Sequence, residues 1–470
     1  MALIKKYWKS FIALITAPSM VFLDQTILPV ALPAIAKEFN ANSTQLQWSV
    51  NAYTLAIAIF VLLGGKISDR IGHRKALSLG ITGFALFSIL CGVSPNIETL
   101  IVARGLQGIS AAFIFPSQTA LIADIFPPTK RGRATGIIVS IGSILLISGP
   151  LIGGYLTQVA SWHWIFWINL PIAAFGLWMI FLFLPKSKPE KSTFDLLGFS
   201  FFAIGLGSLV MFFMDIIQWG ITSRKSILLI CLSILGFILL LVRERKNRSS
   251  FIDLTLFKHH SFCAVNINVA ITQFILMITV FRTIYIQNIL EYSPGQTGLI
   301  TFVSAIPIFF TATFAGFLSD KFNPRVPIAL GYLLLITSFF LFGFINTPSL
   351  PLLLIFLTIF GIGIPLIFTP SFASAILFVP PQKKGIAIGT IYTLRMIGAS
   401  IGLALIHLFV SMVQKIQSPI LGKRLAEISS FSKIHFALAF LLIVIFVLVF
   451  ILYKKSSLRH PPEFPSEGWD

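Results

Sequence analysis

The chain is a succession of long apolar runs, each closed by a short cluster of charged, Gly or Pro residues. It shows neither the strict alternation of half-buried strands nor the polar stripe of a surface helix. About 20 consecutive apolar residues suffice for an α-helix to cross a bilayer. Runs of this kind fall near 11–31, 48–65, 77–94, 99–122, 133–156, 164–184, 195–217, 226–242, 262–288, 297–318, 326–344, 350–375, 386–411 and 433–453. The pattern predicts fourteen membrane helices joined mostly by short loops. The longest connections, 185–194, 243–261 and 412–432, are too small to fold as domains. A membrane β-barrel is excluded, because its strands are alternating segments of about ten residues, and runs such as ILLICLSILGFILLLV do not alternate.

Composition agrees with this picture. Of 470 residues, 56% are hydrophobic and 11% charged, against about 25% charged in a soluble domain. The net charge of +19 would suggest a nucleic-acid surface if it were clustered, but most of the 35 Lys and Arg lie in alternate loops, beginning with Lys5 and Lys9. By the positive-inside rule that side is cytoplasmic, which places both termini inside and requires an even number of spans. The basic loops read as topology determinants and contacts for anionic lipid, with no nucleic acid as partner. The first run, preceded by Lys5 and Lys6, has the length of a span rather than the roughly 7–15 residues of a signal-peptide core, and it contains Asp24, so it reads as span 1.

Cys91, Cys231 and Cys263 stand in apolar runs without metal-ligand spacing and read as buried packing residues. His259 and His260, adjacent on a loop, are poor ligands as a pair. No metal and no cofactor are expected. No phosphate-cradling GxxxxGK[ST] loop and no soluble catalytic domain occur in the sequence, and no nucleophile elbow stands out, so neither an ATP-driven pump nor an enzyme is indicated.

GKISDRIGHR at 65–74 and GFLSDKFNPR at 316–325 share Gly, Ser, Asp, a base and Arg at equal spacing. Both join one span to the next on the expected cytoplasmic side, which indicates a parallel internal repeat around a midplane site. The first copy follows span 2 and the second follows span 10. Two six-helix halves therefore have two helices inserted between them, most economically spans 7 and 8. The expected domains are a six-helix bundle at 1–194, two inserted helices at 195–242, a second bundle with a cytoplasmic linker at 243–453, and a cytoplasmic tail at 454–470.

At this point the chain resembles the major facilitator superfamily, and within it the fourteen-span drug:proton antiporters of the EmrB/QacA type. The resemblance rests on LDQTILPVALP at 23–33, GGKISDRIGHRKAL at 64–77, ARGLQGISAAFIFPS at 103–117, SGPLIGG at 148–154, SWHWIFWINLP at 161–171 and TLRMIGASIGLAL at 393–405. It implies an all-α polytopic membrane protein of the major facilitator fold. It also implies that the repeated loop is a gate, with Gly65, Asp69, Arg70, Gly72 and Arg74 in the first copy and Asp320, Lys321 and Arg325 in the second. Asp69 and its partners would latch the halves when the cavity faces outward; the alternative is a topology signal alone. The antiporter signature falls on Gly149, Pro150, Gly153 and Gly154, where small residues favour close helix packing. Two departures stand out: Leu145 where the family usually has Gly, and Pro29 where it most often has Asn.

Charged residues inside spans cost about 2.5–3.5 kcal/mol each on insertion scales and are seldom kept without use. Asp24 lies roughly 10 Å from the outer end of span 1 and Arg104 roughly 8 Å from that of span 4, levels at which they can pair. An acid that gives up such a partner can take a proton instead, so the two form the minimum machinery for proton coupling, the role the resemblance also gives them. A fixed structural ion pair is the alternative. Asp215, Arg282 and Arg395 are further candidates for cavity or substrate charge. Arg282 at roughly 9 Å depth either faces the cavity, favouring a neutral or anionic amphiphile, or snorkels to the outer interface. Trp48, Trp162, Trp164 and Trp167, near span ends, read as interfacial anchors.

The function expected is a proton-coupled antiporter exporting lipophilic small molecules by alternating access, with protons and the bilayer as its other partners. A dedicated exporter of one endogenous metabolite, siderophore or lipid is the second reading, and a non-transporting receptor a remote third. The expected location is a bacterial inner membrane, as a single-chain transporter. A periplasmic adaptor stays open, although the outer loop around Lys423 and Arg424 offers no clear docking surface.

Overall fold

The computed structural model describes residues 2–127, 131–187, 189, 195–246, 254–344, 350–375 and 384–453. In chain order the helices are α1 (Ala2–Phe39), α2 (Ser43–Ile71), α3 (His73–Gly92), α4 (Ile97–Ile125), α5 (Arg131–Val159), α6 (Trp164–Trp167), α7 (Asn169–Phe183), α8 (Leu196–Trp219), α9 (Arg224–Lys246), α10 (His260–Leu276), α11 (Ile278–Asn288), α12 (Pro294–Phe322), α13 (Arg325–Gly343), α14 (Leu350–Ala375), α15 (Lys384–Leu421) and α16 (Lys423–Leu452). No strand occurs among the described residues. Among the described residues thirteen helical stretches are long and apolar enough to cross a membrane, with α6 and α7 together forming one and α10 and α11 another. The remaining predicted run lies within the 29-residue α5. All fourteen runs are helical. The expected tail 454–470 and residues 247–253 of the connection 243–261 lie outside the described residues.

Local chemistry sets the helix ends. Asn42 accepts from the Gln45 backbone while the Gln45 side chain accepts from Asn42 N, a reciprocal cap at the start of α2. Asn96 caps α4 in the same position, and Asp195 caps α8 through Gly198 N at 3.0 Å. Gly72, Gly220 and Gly422 end helices at φ values of +93, +81 and +80, which glycine adopts without a Cβ penalty.

Two expectations are corrected here. The connection 412–432 is not a loop: α15 runs to Leu421 and α16 begins at Lys423, so Lys423 and Arg424 form a first helical turn separated from α15 by Gly422 alone. Likewise α1 continues to Phe39. In both cases helix-compatible polar residues carry the backbone past the apolar run, and hydropathy marks only the part that matches lipid.

Two compact units are distinguished. Unit 1 comprises 1–251, 277–303 and 403–408; unit 2 comprises 252–276, 304–402 and 409–470. In unit 1, α2 and α4 cross at small residues: a Cβ on Gly64 would stand 2.5 Å from the Ala112 carbonyl oxygen, and one on Gly108 would stand 2.9 Å from the Ala56 Cβ. The inserted pair α8 and α9, also in unit 1, packs glycine against glycine, with a Gly236 Cβ position 2.9 Å from the Gly205 Cα. At the far end of this pair Arg243 Nε donates to both Asp195 oxygens, at 2.7 and 2.8 Å. In unit 2, α10, α13, α14 and α16 enclose Asn268, which accepts from Tyr332 Oη at 2.8 Å and donates to Ser371 Oγ at 3.0 Å.

Candidate functional site

Helices α1, α2, α3, α4 and α7 converge on a buried charge pair. Arg104 Nη1 donates to Asp24 Oδ2 at 2.6 Å, and the two residues are 1% and 0% exposed. Gln107, one turn along α4 and on the same face as Arg104, binds both members: its Oε1 accepts from Arg104 Nη1 at 2.6 Å and its Nε2 donates to Asp24 Oδ1 at 3.2 Å. Gln107 Nε2 also donates to Ser88 Oγ on α3 at 2.7 Å, which in turn accepts from Asn169 Nδ2 on α7 at 3.3 Å. Arg104 Nε donates to the Ser49 carbonyl of α2 at 3.1 Å, and the guanidinium stands 4.3 Å from the Tyr53 ring centroid and 5.8 Å from that of Phe166.

The pairing expected for Asp24 and Arg104 is thus present, although the depth argument behind it needs correcting. Because α1 runs to Phe39, Asp24 is 39 − 24 = 15 residues from its end, roughly 22 Å at the helical rise. Gln107, Ser88, Asn169 and Tyr53 were not singled out in the sequence. The spacing of Gln107 from Arg104 was a usable signal. Asn169 and Ser88 carried none, since an uncharged polar residue in an apolar run does not reveal which way it faces.

In the first copy of the repeated loop Asp69 is half-exposed, with Oδ1 3.9 Å from His73 Nδ1. Ser68 Oγ lies 3.1 Å from the same His73 nitrogen and accepts from Ser117 Oγ of α4 at 2.9 Å. Arg70 is exposed. Arg74 turns to the end of α7, donating to the Leu184 and Phe181 carbonyls at 2.8 Å each, where a cation also suits the helix C-terminus. The second copy repeats this: Arg325 donates to the Tyr453 carbonyl at the end of α16. Each repeated arginine therefore ties its loop to a helix C-terminus within its own unit. Lys321 stands over Phe322 at 5.2 Å; the side chain of Asp320 lies outside the described residues.

Gly65 has its Cβ position at an ordinary 3.4 Å from Pro116, whereas Gly72 combines a φ of +93 with a Cβ position 2.8 Å from the Ser187 carbonyl oxygen. Gly72→Ala is expected to cost about 1–3 kcal/mol through the strained backbone, and Gly65→Ala much less. Thermal unfolding in detergent checks the difference, and equal melting temperatures would contradict it.

The small residues of SGPLIGG serve two neighbours. Gly149 and Gly153 lie against α1: a Gly153 Cβ would stand 2.7 Å from both Ile27 Cγ1 and the Ile27 carbonyl oxygen, and a Gly149 Cβ 3.2 Å from the Leu23 carbonyl oxygen. Gly154 instead meets the start of α12, 3.1 Å from Gly298 Cα, and Gly298 lies against Pro150 in turn. Further along, Gln158 Oε1 accepts from Ser293 Oγ at 3.0 Å and Gly295 N at 2.9 Å, acting as an outside cap on α12. Gln287 Nε2 donates to the Val30 carbonyl at 2.8 Å, and Thr44 Oγ1 lies 3.1 Å from His407 Nε2. All of these ties join the end of α1 and α5, or the start of α2, to segments 277–303 and 403–408 within unit 1.

The other candidate charges stand on α8, α11 and α15. Arg282, 2% exposed on α11, is enclosed by protein rather than laid along a surface. Arg395, buried on α15 in unit 2, donates Nε to Gln273 Oε1 at 2.9 Å and stands 5.4 Å from the Phe368 centroid. Asp215 on α8 accepts from Trp48 Nε1, at 3.2 Å to one oxygen and 3.4 Å to the other. Trp48 is half-buried, so this bond is compatible with its expected place at the interface. The anchor reading is corrected for Trp162, which is buried and donates to Glu38 Oε2 at 2.6 Å. It sits near a run end, where an anchor and a buried donor look alike in sequence. Trp164 is exposed, and Trp167 packs against Gly92. Of the cysteines only Cys91 is buried; Cys231 is exposed, because the apolar face it shares on α9 is turned away from the protein. Burial and the neighbouring His260 hold the His259 imidazole below its ordinary range. Among the described residues no cluster of His, Cys, Asp and Glu could hold a metal.

Comparison with known proteins agrees with this architecture. The profile of the Major Facilitator Superfamily matches residues 14–402 and 262–468. The multidrug resistance protein Stp of Mycobacterium tuberculosis is 33% identical over 390 residues, covering 82% of this chain and 73% of that protein. The riboflavin transporter RibZ of Clostridioides difficile is 32% identical over 409 residues, covering 86% and 88%. Among solved structures, a bacterial homologue of the human lysosomal transporter Spinster, in an inward-facing and unoccupied conformation, superposes with a TM-score of 0.66 at 16% identity, over 95% of this chain and 97% of that one. That similarity concerns the fold alone.

Proposed function

The chain belongs to the major facilitator superfamily and is a polytopic membrane transporter rather than an enzyme, and from its buried charge centre we propose that it is a proton-coupled antiporter exporting lipophilic small molecules by alternating access. The observation that carries this reading is the set of contacts around Arg104. Besides Asp24, the guanidinium has the Gln107 amide oxygen, the Ser49 carbonyl and the Tyr53 ring. These contacts keep the guanidinium hydrogen-bonded when Asp24 is protonated and released, which lowers the cost of separating the pair. Gln107, bound to both members, can follow either one. Tyr53 Oη and Asn169 Oδ1, buried and without a hydrogen-bond partner among the described residues, offer polar contacts to a water or a ligand beside the pair.

Alternating access follows from the basic loops lying in the cytoplasm of a bacterial inner-membrane protein with both termini inside. The ends bound by Gln158, Gln287 and Thr44 are then the outer ends, and the loops of Asp69 and Asp320 face inward as gates. Each charge moved through 100 mV supplies about 2.3 kcal/mol for uphill export. Arg282 and Arg395 give the membrane interior more positive than negative side chains, favouring a neutral or anionic amphiphile over a dication. The multidrug resistance relative supports broad specificity. The riboflavin transporter relative favours the second reading, a dedicated carrier of one endogenous compound on the same scaffold.

Purified protein in liposomes decides between them. Under the leading reading an imposed proton gradient drives dye uptake into inverted vesicles, several unrelated lipophiles compete, and adding substrate moves protons. Competition confined to one chemical class supports the dedicated carrier. Substrate movement indifferent to the proton gradient rejects proton coupling.

A further inference from the structure

We infer that Asp215 and Trp48 form a proton-binding site at the outer end of the inserted helix pair, whose protonation sets how firmly α8 holds the start of α2. The inference rests on the topology and coupling proposed above and concerns a group that neither uses.

Asp215 is the sole charged residue between Leu196 and Trp219. It lies 219 − 215 = 4 residues from the end of α8, roughly 6 Å along the helix, and is 9% exposed. Both its oxygens face the Trp48 indole nitrogen, at 3.2 and 3.4 Å. Among the described residues no cation forms an ion pair with it. On α9, packed against α8, the nearest charges in sequence are Arg224 and Lys225 in the first turn, and Lys225 Nζ stands over the Trp219 ring at 5.1 Å. On α2 no titratable side chain occurs from Ser43 to Ala52, and Glu98 of α4 is held by Gln45 Nε2 at 2.8 Å. A lone carboxylate so enclosed is costly to keep ionised, and a group one turn from the outer water can exchange its proton there.

The two protonation states differ in grip. An ionised carboxylate accepts the indole N–H in a charge-assisted bond, roughly twice as strong as the bond to a neutral acid. The helix pair that delivers the grip is held together by Arg243 with Asp195 and by the contact of Gly236 with Gly205. The segment it holds is consequential. Within residues 44–49, under two turns of α2, Thr44 meets His407 of α15, Trp48 meets Asp215, and the Ser49 carbonyl receives Arg104. Acidification of the outer side would protonate Asp215, loosen Trp48 and free the same two turns that carry an outer-end tie and a contact of the Asp24–Arg104 centre.

Infrared difference spectra recorded as the pH is lowered, on the full chain in bilayers, test titration directly. A carboxylic-acid carbonyl band is expected in wild type and in Asp24→Asn, lost in Asp215→Asn and shifted in Trp48→Phe. Transport by liposomes at fixed internal pH tests its consequence: dependence on external pH is lost in Asp215→Asn, flattened in Trp48→Phe and rescued by Asp215→Glu. A spectrum of Asp215→Asn identical to wild type, or an external pH profile unchanged in both substituted proteins, overturns the inference. If wild type moves no protons while the Asp215 band persists, the antiport reading fails and the titrating site stands.

Discussion

Asp24→Asn is expected to abolish gradient-driven export while leaving a folded, weakened protein. Asn keeps the volume and one acceptor oxygen, so Arg104 and Gln107 retain their positions, but the guanidinium loses its counter-charge in a site that is almost wholly closed to solvent. Breaking a buried pair from one side costs about 3–5 kcal/mol. The three other contacts of Arg104 place this case near the lower end, about 3 kcal/mol. The amide takes up no proton, so substrate added to the variant should release or absorb none, although binding persists. A double variant, Asp24→Asn with Arg104→Gln, removes both charges and is expected to recover more than half of the lost stability without recovering coupling. Thermal unfolding, ligand binding and proton flux measured on the same preparations separate these effects. Uphill export in Asp24→Asn at the wild-type rate would sink the coupling assignment, and a double variant less stable than either single one would sink the account of the charge pair.

Gly153→Leu is expected to have the other large effect, on the fold itself. Its Cβ would stand 2.7 Å from the Ile27 carbonyl oxygen and 3.3 Å from Ile27 Cα, so backbone rather than a pliant side chain would have to give way. Overpacking of this kind costs about 1–3 kcal/mol, and more where helices must separate. Losing the α1–α5 approach also displaces Thr26, whose Oγ1 donates to the Leu146 carbonyl at 2.8 Å. Gly207 is the control. A Cβ there meets nothing within 4 Å, so Gly207→Leu should leave stability unchanged or raise it by about 0.5–1 kcal/mol through helix propensity. Detergent-stable elution and melting temperature should collapse for the first variant and hold for the second. Similar behaviour of the two would contradict the packing described for α1 and α5.

The comparison of these glycines shows where sequence reading stops. Gly153 was marked by its place in SGPLIGG and Gly207 by none, but only the neighbour across the interface shows that the first meets the Ile27 backbone and the second open space. The same holds for polar side chains. Asp24 and Arg104 were legible because an ionised group in an apolar run is costly enough to demand a reason. Gln107 was recoverable from its spacing to Arg104, whereas Ser88 and Asn169 depend on the rotation of α3 and α7, which no local signal encodes. Trp162 was misread for a related reason: proximity to a run end suits an interfacial anchor and a buried donor equally, and its partner Glu38 is 124 residues away.

What the sequence by itself determined is the set of fourteen apolar runs, their helical state, the internal repeat of the Asp69 and Asp320 loops, and the few charges that must matter. A bilayer accepts only segments of sufficient length and apolarity whose backbone bonds are satisfied internally, and these are local properties. Tertiary structure alone decided where α1 and α15 end, that Arg74 and Arg325 tie their loops to helix C-termini, which glycines are indispensable, and that Gln107 joins both members of the charge pair. Those facts depend on which residue stands opposite, and helix packing brings together positions that the chain keeps tens or hundreds of residues apart.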